Sequence, residues 1–509
     1  MSDGTQGRKD LVKDFDDDDH DDDDNELGHP EQPATTEPPE EHTEQMNAAA
    51  GALVPPKATK RKSKRAVLAC SILAAVVAIA ATIAFLVFVV LDRDSTVDND
   101  RPVPVQAPTT VSTLAPVATG SPMPSMQQSA HPTTDQDAFG VLLQSRIPSV
   151  NFSSDSSPDL QALEWIMADD GHNETLSEDR RMQRFALASL AFSFPDLQSW
   201  LTPESECLWD TSRVRCDEKN RLKRLDLFDL SLSGKIPATI GLLSQLTYLR
   251  LSDNDLEGPI PTEIGLLSRL TDLSLNSIQA TETIPSEIGQ LTELKRLILW
   301  NNNLTGTIPT EIGLLTKLGG LWLDNNYLTG RIPSETGQMT ALNLLYLWSN
   351  SLTGRIPPQL GLLSQLSSLE MIDNSLTGPI PSELGMLQDL WQMNFGMNAL
   401  NGTIPTEICL LPRLIYLSLV ENNLSGPLPS EFGQMRSLRS LFLLGNDLSG
   451  TIPPEIGHAS LLKALWLYSN DLSGTIPSGL CSSALPPRID CNEITCFCCV
   501  DETGSTCPH

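Results

Sequence analysis

One apolar pattern returns every 24 residues through the second half of the chain. Its consensus, LxxLxLxxNxLxGxIPxxIGxL, keeps a single register from the first occurrence to the last. A fixed period of about 20–29 residues with this spacing is typical of a solenoid, in which each coil packs only against its neighbours. Eleven coils are predicted, numbered here from their leading leucines: Leu222, Leu246, Leu270, Leu294, Leu318, Leu342, Leu366, Leu390, Leu414, Leu438 and Leu462.

The overall charge excludes one class of ligand. The 509 residues carry a net charge of −30, whereas nucleic-acid binding requires a basic surface. Nine of the ten cysteines follow residue 200, which indicates an oxidising compartment for that part of the chain.

Residues 66–91 form an apolar segment of 26 residues without a charge. As a helix it measures ~39 Å, enough to cross a ~30 Å hydrocarbon core. A basic cluster precedes it, which predicts a cytosolic N-terminus and repeats that are outside the cell or in a lumen. The plasma membrane is the favoured location, and an internal membrane is the alternative. The N-glycosylation sequons all follow it and agree with this topology: Asn151, Asn173, Asn303, Asn401 and Asn423. We therefore expect a single-pass, type II, signal-anchored protein whose partners include the lipid bilayer.

Composition suggests further boundaries. Residues 1–65 contain an aspartate run and Pro/Glu-rich stretches, which predict a disordered acidic cytosolic tail; a docking or metal-attracting role is the alternative. Residues 92–156 are rich in Pro, Thr and Ser, which favours an extended stalk. Helical periodicity in residues 157–221 predicts an N-terminal cap for the repeats at residues 222–485, and residues 486–509 a Cys-rich C-terminal cap.

Two motifs carry a family resemblance. Cys207, Trp209 and Cys216, just before the first coil, resemble the paired-cysteine cap of plant-type leucine-rich-repeat receptors, and the IPxxIG half of each coil resembles their plant-specific repeat. The helical block before these cysteines is similar to caps in receptor-like proteins of diatoms. The resemblance implies an α/β solenoid: a right-handed leucine-rich-repeat superhelix with a helical N-terminal cap, here combined with one transmembrane helix and a disordered N-terminal region. Plant receptor kinases place their repeats before the membrane span and a kinase after it. This chain has the reverse order and no predicted kinase.

The variable strand positions are the candidate binding residues, because the consensus leucines are used by the core. Aromatic residues cluster there in coils four to six and nine to eleven, with an acidic residue in coil seven between them. We expect these side chains to be exposed on the concave face and to anchor a ligand. The alternative is that they stabilise neighbouring coils. The candidates are Trp300, Trp322, Tyr346, Trp348, Glu370, Tyr416, Phe442, Trp466 and Tyr468.

The remaining cysteines and histidines limit the chemistry. Cys481, Cys491, Cys496, Cys498, Cys499 and Cys507 crowd the C-terminus. Disulfide bonds, as for Cys207 and Cys216, are favoured over a zinc knuckle, with a connectivity that the sequence leaves open. Nine extracytoplasmic cysteines leave one unpaired, for which Cys409 is the candidate. Among the histidines only His458 lies in the repeats, so we expect no catalytic residues, metal or cofactor.

These features favour a cell-surface, receptor-like recognition protein. It would bind an extracellular peptide, protein or glycan on the concave face and signal through a co-receptor. The alternative is an adhesion or wall-associated structural protein without a signalling role, and an enzyme is the third hypothesis.

Overall fold

The computed structural model describes most of the chain after residue 133. The described residues are 134–154, 156–168, 176–482 and 486–507. The predicted acidic tail, the apolar segment 66–91, the first part of the stalk and the sequon at Asn173 lie outside them. In the part that is described, no helix combines the length and apolar character needed to cross a membrane.

Three α-helices lie in and just before the predicted N-terminal cap: α1 (Thr134–Arg146), α2 (Pro158–Ala168) and α3 (Glu178–Ser193). Phe139, Leu143 and Ile147 are buried along one face of α1, and the ring of Phe139 meets that of Phe185 edge-on at 6.2 Å. The end of the predicted stalk, residues 92–156, therefore overlaps a helix that packs against α3. The apolar spacing of i, i+4 and i+8 in α1 is the signal for this helix.

Twenty-four short strands are present in the described residues, and each coil contributes one of them to the main sheet. In chain order the strands are β1 (Val214–Cys216), β2 (Leu222–Asp226), β3 (Ser233–Gly234), β4 (Tyr248–Arg250), β5 (Asp255–Leu256), β6 (Gly258–Pro259), β7 (Asp272–Ser274), β8 (Ala280–Thr281), β9 (Arg296–Ile298), β10 (Gly320–Trp322), β11 (Thr329–Gly330), β12 (Leu344–Tyr346), β13 (Ser351–Gly354), β14 (Ser368–Glu370), β15 (Ser375–Gly378), β16 (Gln392–Asn394), β17 (Ala399–Gly402), β18 (Tyr416–Ser418), β19 (Asn423–Gly426), β20 (Ser440–Phe442), β21 (Asp447–Thr451), β22 (Ala464–Trp466), β23 (Asp471–Thr475) and β24 (Ile494–Thr495).

The twelve-stranded main sheet has the order β1-β2-β4-β7-β9-β10-β12-β14-β16-β18-β20-β22. Strand β1 pairs antiparallel with β2, and every later pair is parallel with partners 24 residues apart, as in Leu345 beside Leu369. Because side chains alternate along a strand, these leucines point into the core while the residues on either side of them face the concave surface. A parallel-strand solenoid is thus observed.

The opposite half of each coil contains a 3₁₀ helix that follows the Pro of the IP motif. The 3₁₀ helices are Pro195–Trp200, Glu206–Leu208, Ala238–Leu242, Thr262–Leu266, Ser286–Gln290, Thr310–Leu314, Ser334–Gln338, Pro358–Leu362, Ser382–Met386, Thr406–Leu410, Ser430–Gln434, Pro454–His458 and Ser478–Ser482. The glycine here allows the coils to touch, since a Cβ at Gly265 would lie 2.6 Å from the backbone oxygen of Glu287.

A ladder of buried asparagines joins successive coils. In coil nine, Asn422 Nδ2 donates to the carbonyl of Phe395 at 2.9 Å, and its Oδ1 accepts the N–H of Leu400 at 2.9 Å. Buried backbone groups of two coils are satisfied in this way by a single amide. Coils one and three have no asparagine at this position, and the ladder asparagines of the following coils bind the N–H groups of Leu230 and Ile278.

A second, eight-stranded parallel sheet has the order β11-β13-β15-β17-β19-β21-β23-β24. It begins only after coil four, and the preceding coils form separate two-stranded pairs, β3–β5 and β6–β8. In coil three, Glu282 occupies the position of the usual glycine and adopts a φ of +64°. A non-glycine residue is strained in this conformation, which coincides with the interruption of the sheet.

Disulfide bonds lie at both ends of the solenoid. Cys207 is bonded to Cys216 beside β1. At the other end, the pairs are Cys481–Cys498, Cys491–Cys507 and Cys496–Cys499. The sulfur atoms of Cys481, Cys496 and Cys498 lie within 4.8 Å of one another, but each is bonded in a disulfide. Cys409 is a buried free thiol, and burial raises its pKa.

Candidate functional site

The concave face of the main sheet contains a first aromatic cluster in coils five to seven, formed by Trp322, Tyr346, Trp348 and Ile372. The rings of Trp322 and Tyr346 meet edge-on at a centroid distance of 6.2 Å. Gly320 makes room for this packing, because a Cβ there would lie 2.2 Å from the Trp322 indole. Trp300 and Ile298, in coil four, are half-buried against the cluster.

A second aromatic cluster occupies coils ten and eleven and consists of Phe442, Ala464, Trp466 and Tyr468. Phe442 packs on Trp466 at 4.7 Å, and Tyr416 of coil nine meets Phe442 at 5.6 Å. The guanidinium of Arg488 lies 4.8 Å from the centroid of the Trp466 ring. This cluster therefore already contains its own cation–π contact.

The expectation that the aromatic side chains are exposed is wrong for most of them. Six are less than a tenth exposed: Trp322, Tyr346, Trp348, Phe442, Trp466 and Tyr468. Trp300 and Tyr416 are half-buried. The strands of adjacent coils lie ~4.8 Å apart, so rings on neighbouring strands cover each other instead of standing free in solvent. The alternative role, in which the rings stabilise neighbouring coils, is thus part of the structure.

A polar strip separates the two clusters and consists of Glu370, Gln392, Asn394, Ser418 and Ser440, all of them buried. Gln392 Nε2 donates to Glu370 Oε1 at 2.7 Å. In the main sheet, Glu370 is paired with Tyr346 on one side and with Asn394 on the other. The concave face therefore alternates from apolar to polar to apolar along the solenoid axis.

Two carboxyl groups with perturbed pKa values lie in this region. Burial raises the pKa of Glu370 to about 7. Burial also raises the pKa of Asp324 well above its usual range, and the charge of Glu370 adds to this shift. The pKa of Tyr346 is raised as well, mainly by burial and further by the two carboxylates. Coils five to seven thus combine aromatic rings with two buried carboxyl groups whose ionisation is disfavoured by burial.

Asp324 is a site residue that the sequence analysis missed. It occupies the last concave position of coil five, between Trp300 and Trp348 in the neighbouring coils, and is 3% exposed. A sequence signal for it exists, because an acidic residue stands between two tryptophans at the equivalent positions of the neighbouring coils. Its significance comes from burial, which spacing does not reveal.

A polar groove of about 1030 Å³ runs beside the concave face along coils one to seven. Asparagine, serine and aspartate side chains dominate its lining, which includes the sequon residue Asn303. The other described sequon residues, Asn151, Asn401 and Asn423, are likewise exposed and accessible to a glycosyltransferase.

Comparison with known proteins agrees with this architecture. The Leucine Rich Repeat family matches residues 245–267, 293–315, 413–435, 437–459 and 461–483. No curated protein matches the chain in sequence.

Two solved plant structures are similar to the chain. The peptide hormone receptor RGFR1 in complex with RGF2 has 39% sequence identity and a TM-score of 0.51, over 52% of this chain and 43% of the receptor chain. The leucine-rich-repeat ectodomain of the Arabidopsis thaliana membrane receptor kinase GASSHO1/SCHENGEN3, in complex with CASPARIAN STRIP INTEGRITY FACTOR 2, has 35% identity and a TM-score of 0.54, over 65% of this chain and 38% of that one. This chain thus spans about two fifths of the length of either receptor chain.

Proposed function

We propose that the chain is a receptor-like recognition protein that binds an extracellular peptide, or an extended segment of a protein, on the concave face of its repeats. The observation that carries this proposal is the arrangement of two aromatic clusters around a buried polar strip. Strands β10 to β22 of the main sheet span ~29 Å at a step of ~4.8 Å, which matches an extended peptide of about nine residues. Apolar side chains of such a peptide would pack on the clusters while its backbone meets the polar strip.

The similar structures support the proposal. RGFR1 is a plant peptide hormone receptor and is seen in complex with RGF2, and the GASSHO1/SCHENGEN3 ectodomain is likewise seen in a complex. Peptide binding by this chain is our inference from those receptors, since each receptor chain is more than twice as long as the part that matches.

We further propose that residues 66–91 anchor the protein as a single membrane helix, with residues 1–65 in the cytosol and the repeats outside. Signalling then proceeds through a membrane partner or co-receptor. In intact cells, we expect external protease to remove the repeats and to leave the acidic tail protected, as detected by antibodies against each end. Digestion of the tail before the cells are permeabilised would overturn this topology.

The burial of the aromatic rings favours a second candidate function. If the rings act only between coils, the solenoid is a rigid adhesion or wall-associated module without a concave ligand. The two functions predict different effects on ligand capture when the rings are removed and the fold is kept.

The test replaces Trp322 and Trp348 by alanine in the full-length chain in detergent micelles. Peptides from the medium of the producing cells are captured on the immobilised protein and identified by mass spectrometry. We expect at least tenfold weaker capture of peptides that the unchanged protein retains, because an interface tryptophan typically contributes ~2 kcal/mol or more.

The matched control replaces Leu362 and Met386, two exposed apolar residues of the 3₁₀ helices on the opposite side. Capture by this control variant should be unchanged. Equal capture by all three proteins, each shown to be folded by circular dichroism, would contradict concave binding and favour the adhesion function.

A further inference from the structure

The concave side of coils five and six has three buried polar atoms without a partner among the described residues. They are Asp324 Oδ1 and the indole nitrogens, Nε1, of Trp322 and Trp348. All three side chains are more than nine-tenths buried. A buried polar atom without a hydrogen bond is costly, and such atoms are few in native proteins. Three of them on one patch of the concave face indicate a place where a ligand completes the hydrogen bonding.

The charge of this surface defines what the ligand must carry. Strands β10 to β22 each present three concave positions, two on the strand and one two residues after its end. Among these positions only Asp324 and Glu370 are charged, and none is a lysine or arginine. The concave arginines of coils one and four, in contrast, are paired: Arg224 binds Asp226 and Arg296 binds Asp272. The acidic charge of coils five to seven therefore has no basic side chain beside it on this face.

The aromatic rings suit the same kind of ligand. Trp322 lies two residues before Asp324 in coil five, and Trp348 occupies the position equivalent to Asp324 in coil six, where Tyr346 is paired with Trp322. A cation is attracted to the face of an indole or phenol ring, and most strongly where water is excluded. An N–H group of that cation can donate to the carboxylate in a charge-assisted hydrogen bond.

We propose that Asp324, Trp322 and Trp348 form a subsite for a lysine or arginine side chain of a bound peptide. Burial favours the protonated carboxyl of Asp324 in the free protein, so binding of the ammonium or guanidinium group is coupled to release of that proton to solvent. Asp324 Oδ1 then accepts a hydrogen bond from the bound group, and Glu370 offers a second acidic side chain in the same region. The indole N–H groups donate to backbone carbonyls of the peptide on either side of the basic residue. Because the three side chains are packed together in the free protein, the ligand enters by displacing an indole. This inference rests on the proposed function, of which it specifies the ligand class.

The experiment compares two probes that differ only in charge. The full-length chain is produced with 5-fluorotryptophan and studied by fluorine NMR in detergent micelles. Single Trp→Phe substitutions assign the resonance of each indole. It is titrated with N-acetyl-arginine N-methylamide and with the citrulline analogue, which has the same shape but no charge. We expect the resonances of Trp322 and Trp348 to shift with the arginine probe at a concentration at least tenfold lower than with the citrulline probe.

Substitutions separate the subsite from general packing. Asp324→Asn keeps the shape of the side chain and should reduce arginine binding to the level of citrulline. Asp447→Asn, on the exposed second sheet, removes the same charge elsewhere and should leave the tenfold preference intact. Trp348→Phe keeps a ring but loses the N–H donor. It should weaken arginine binding severalfold, which provides a reading even if Asp324→Asn does not fold.

Three results would overturn the inference: equal affinity for the two probes, no shift of either indole up to the solubility limit of the arginine probe, or an arginine preference that survives both Asp324→Asn and Trp348→Phe. If peptide capture still depends on Trp322 and Trp348 in such a case, the concave function stands and only the cationic subsite is removed. If peptide capture does not depend on Trp322 and Trp348 but the arginine preference is present, the cationic subsite stands and the peptide-binding function of the concave face is removed.

Discussion

Replacing Glu206 by alanine is expected to lower the free energy of unfolding of the N-terminal cap by about 3–5 kcal/mol, since it breaks a buried ion pair by removing one partner. Glu206 is fully buried, with Arg180 NH2 at 2.9 Å and Arg184 NH1 at 3.6 Å from its carboxylate. Gln183 Nε2 also donates to Glu206 Oε1 at 2.7 Å. The substitution would leave the buried guanidinium of Arg184 without its counter-charge.

The same change should weaken the junction between cap and repeats. Besides binding Glu206, Gln183 accepts the N–H of Leu222 at 2.7 Å, and Leu222 opens the first coil. Amide hydrogen exchange at Leu222 should therefore become faster in the Glu206→Ala variant. A terminal cap covers the core of the outermost coil, so its loosening exposes that core to water.

Tryptophan fluorescence during urea unfolding measures the effect on the cap. Trp165 and Trp209 lie 4.8 Å and 5.5 Å from the Arg184 guanidinium and report on this region. The control is Glu178→Ala, which removes an ion pair with Arg146 whose two side chains are about half exposed. An exposed pair contributes ~0–1 kcal/mol. Equal losses in the two variants would show that the buried network does not stabilise the cap.

Glu370→Gln is expected to make the stability of coils six to eight less dependent on pH, by about 3 kcal/mol. This magnitude follows from the shift in the pKa of Glu370, since each unit of pKa corresponds to ~1.36 kcal/mol. The pKa of Glu370 is raised from 4.5 to about 7 by burial. The folded state therefore binds this proton more tightly than the unfolded state does. Its stabilising contribution is complete below pH 4.5 and is lost as the pH rises through 7.

Stability toward urea at pH 5 and at pH 8, read from hydrogen exchange in β12 to β16, tests this expectation. The unchanged protein should lose stability between the two pH values, and the Glu370→Gln variant should lose about 3 kcal/mol less. Glu383→Gln, at an exposed carboxyl in the 3₁₀ helix of coil seven, is the matched control and should follow the unchanged protein. The same pH slope in all three proteins would mean that Glu370 is ionised without cost in the folded state.

The repeat spacing is sufficient to predict the parallel solenoid. Each coil uses its own leucines and contacts mainly the next coil, so the fold follows from a pattern that is local in sequence. The asparagine ladder is predictable for the same reason, because Asn422 binds groups at a constant separation along the chain. The distribution of cysteines also indicates disulfide bonds at the two ends of the repeats, and Cys207 and Cys216 lie only nine residues apart in the sequence.

Other features depend on how distant residues meet. Composition alone places helix α1 in the stalk, because Phe139, Leu143 and Ile147 reveal their role only when Phe185 covers them. The C-terminal connectivity, including Cys481–Cys498, is one of fifteen pairings of six cysteines and is open in the sequence.

The candidate site shows the same division. Sequence alone determined which side chains share the concave face, since alternation along a strand and a 24-residue period place them there. Only the tertiary structure decided that Trp322 and Trp348 are covered by their neighbours and that Asp324 is buried without a partner for Oδ1 among the described residues. The physical reason is that burial and hydrogen bonding are properties of packing between coils. The periodicity fixes which residues are neighbours, but not how their side chains fill the space between them.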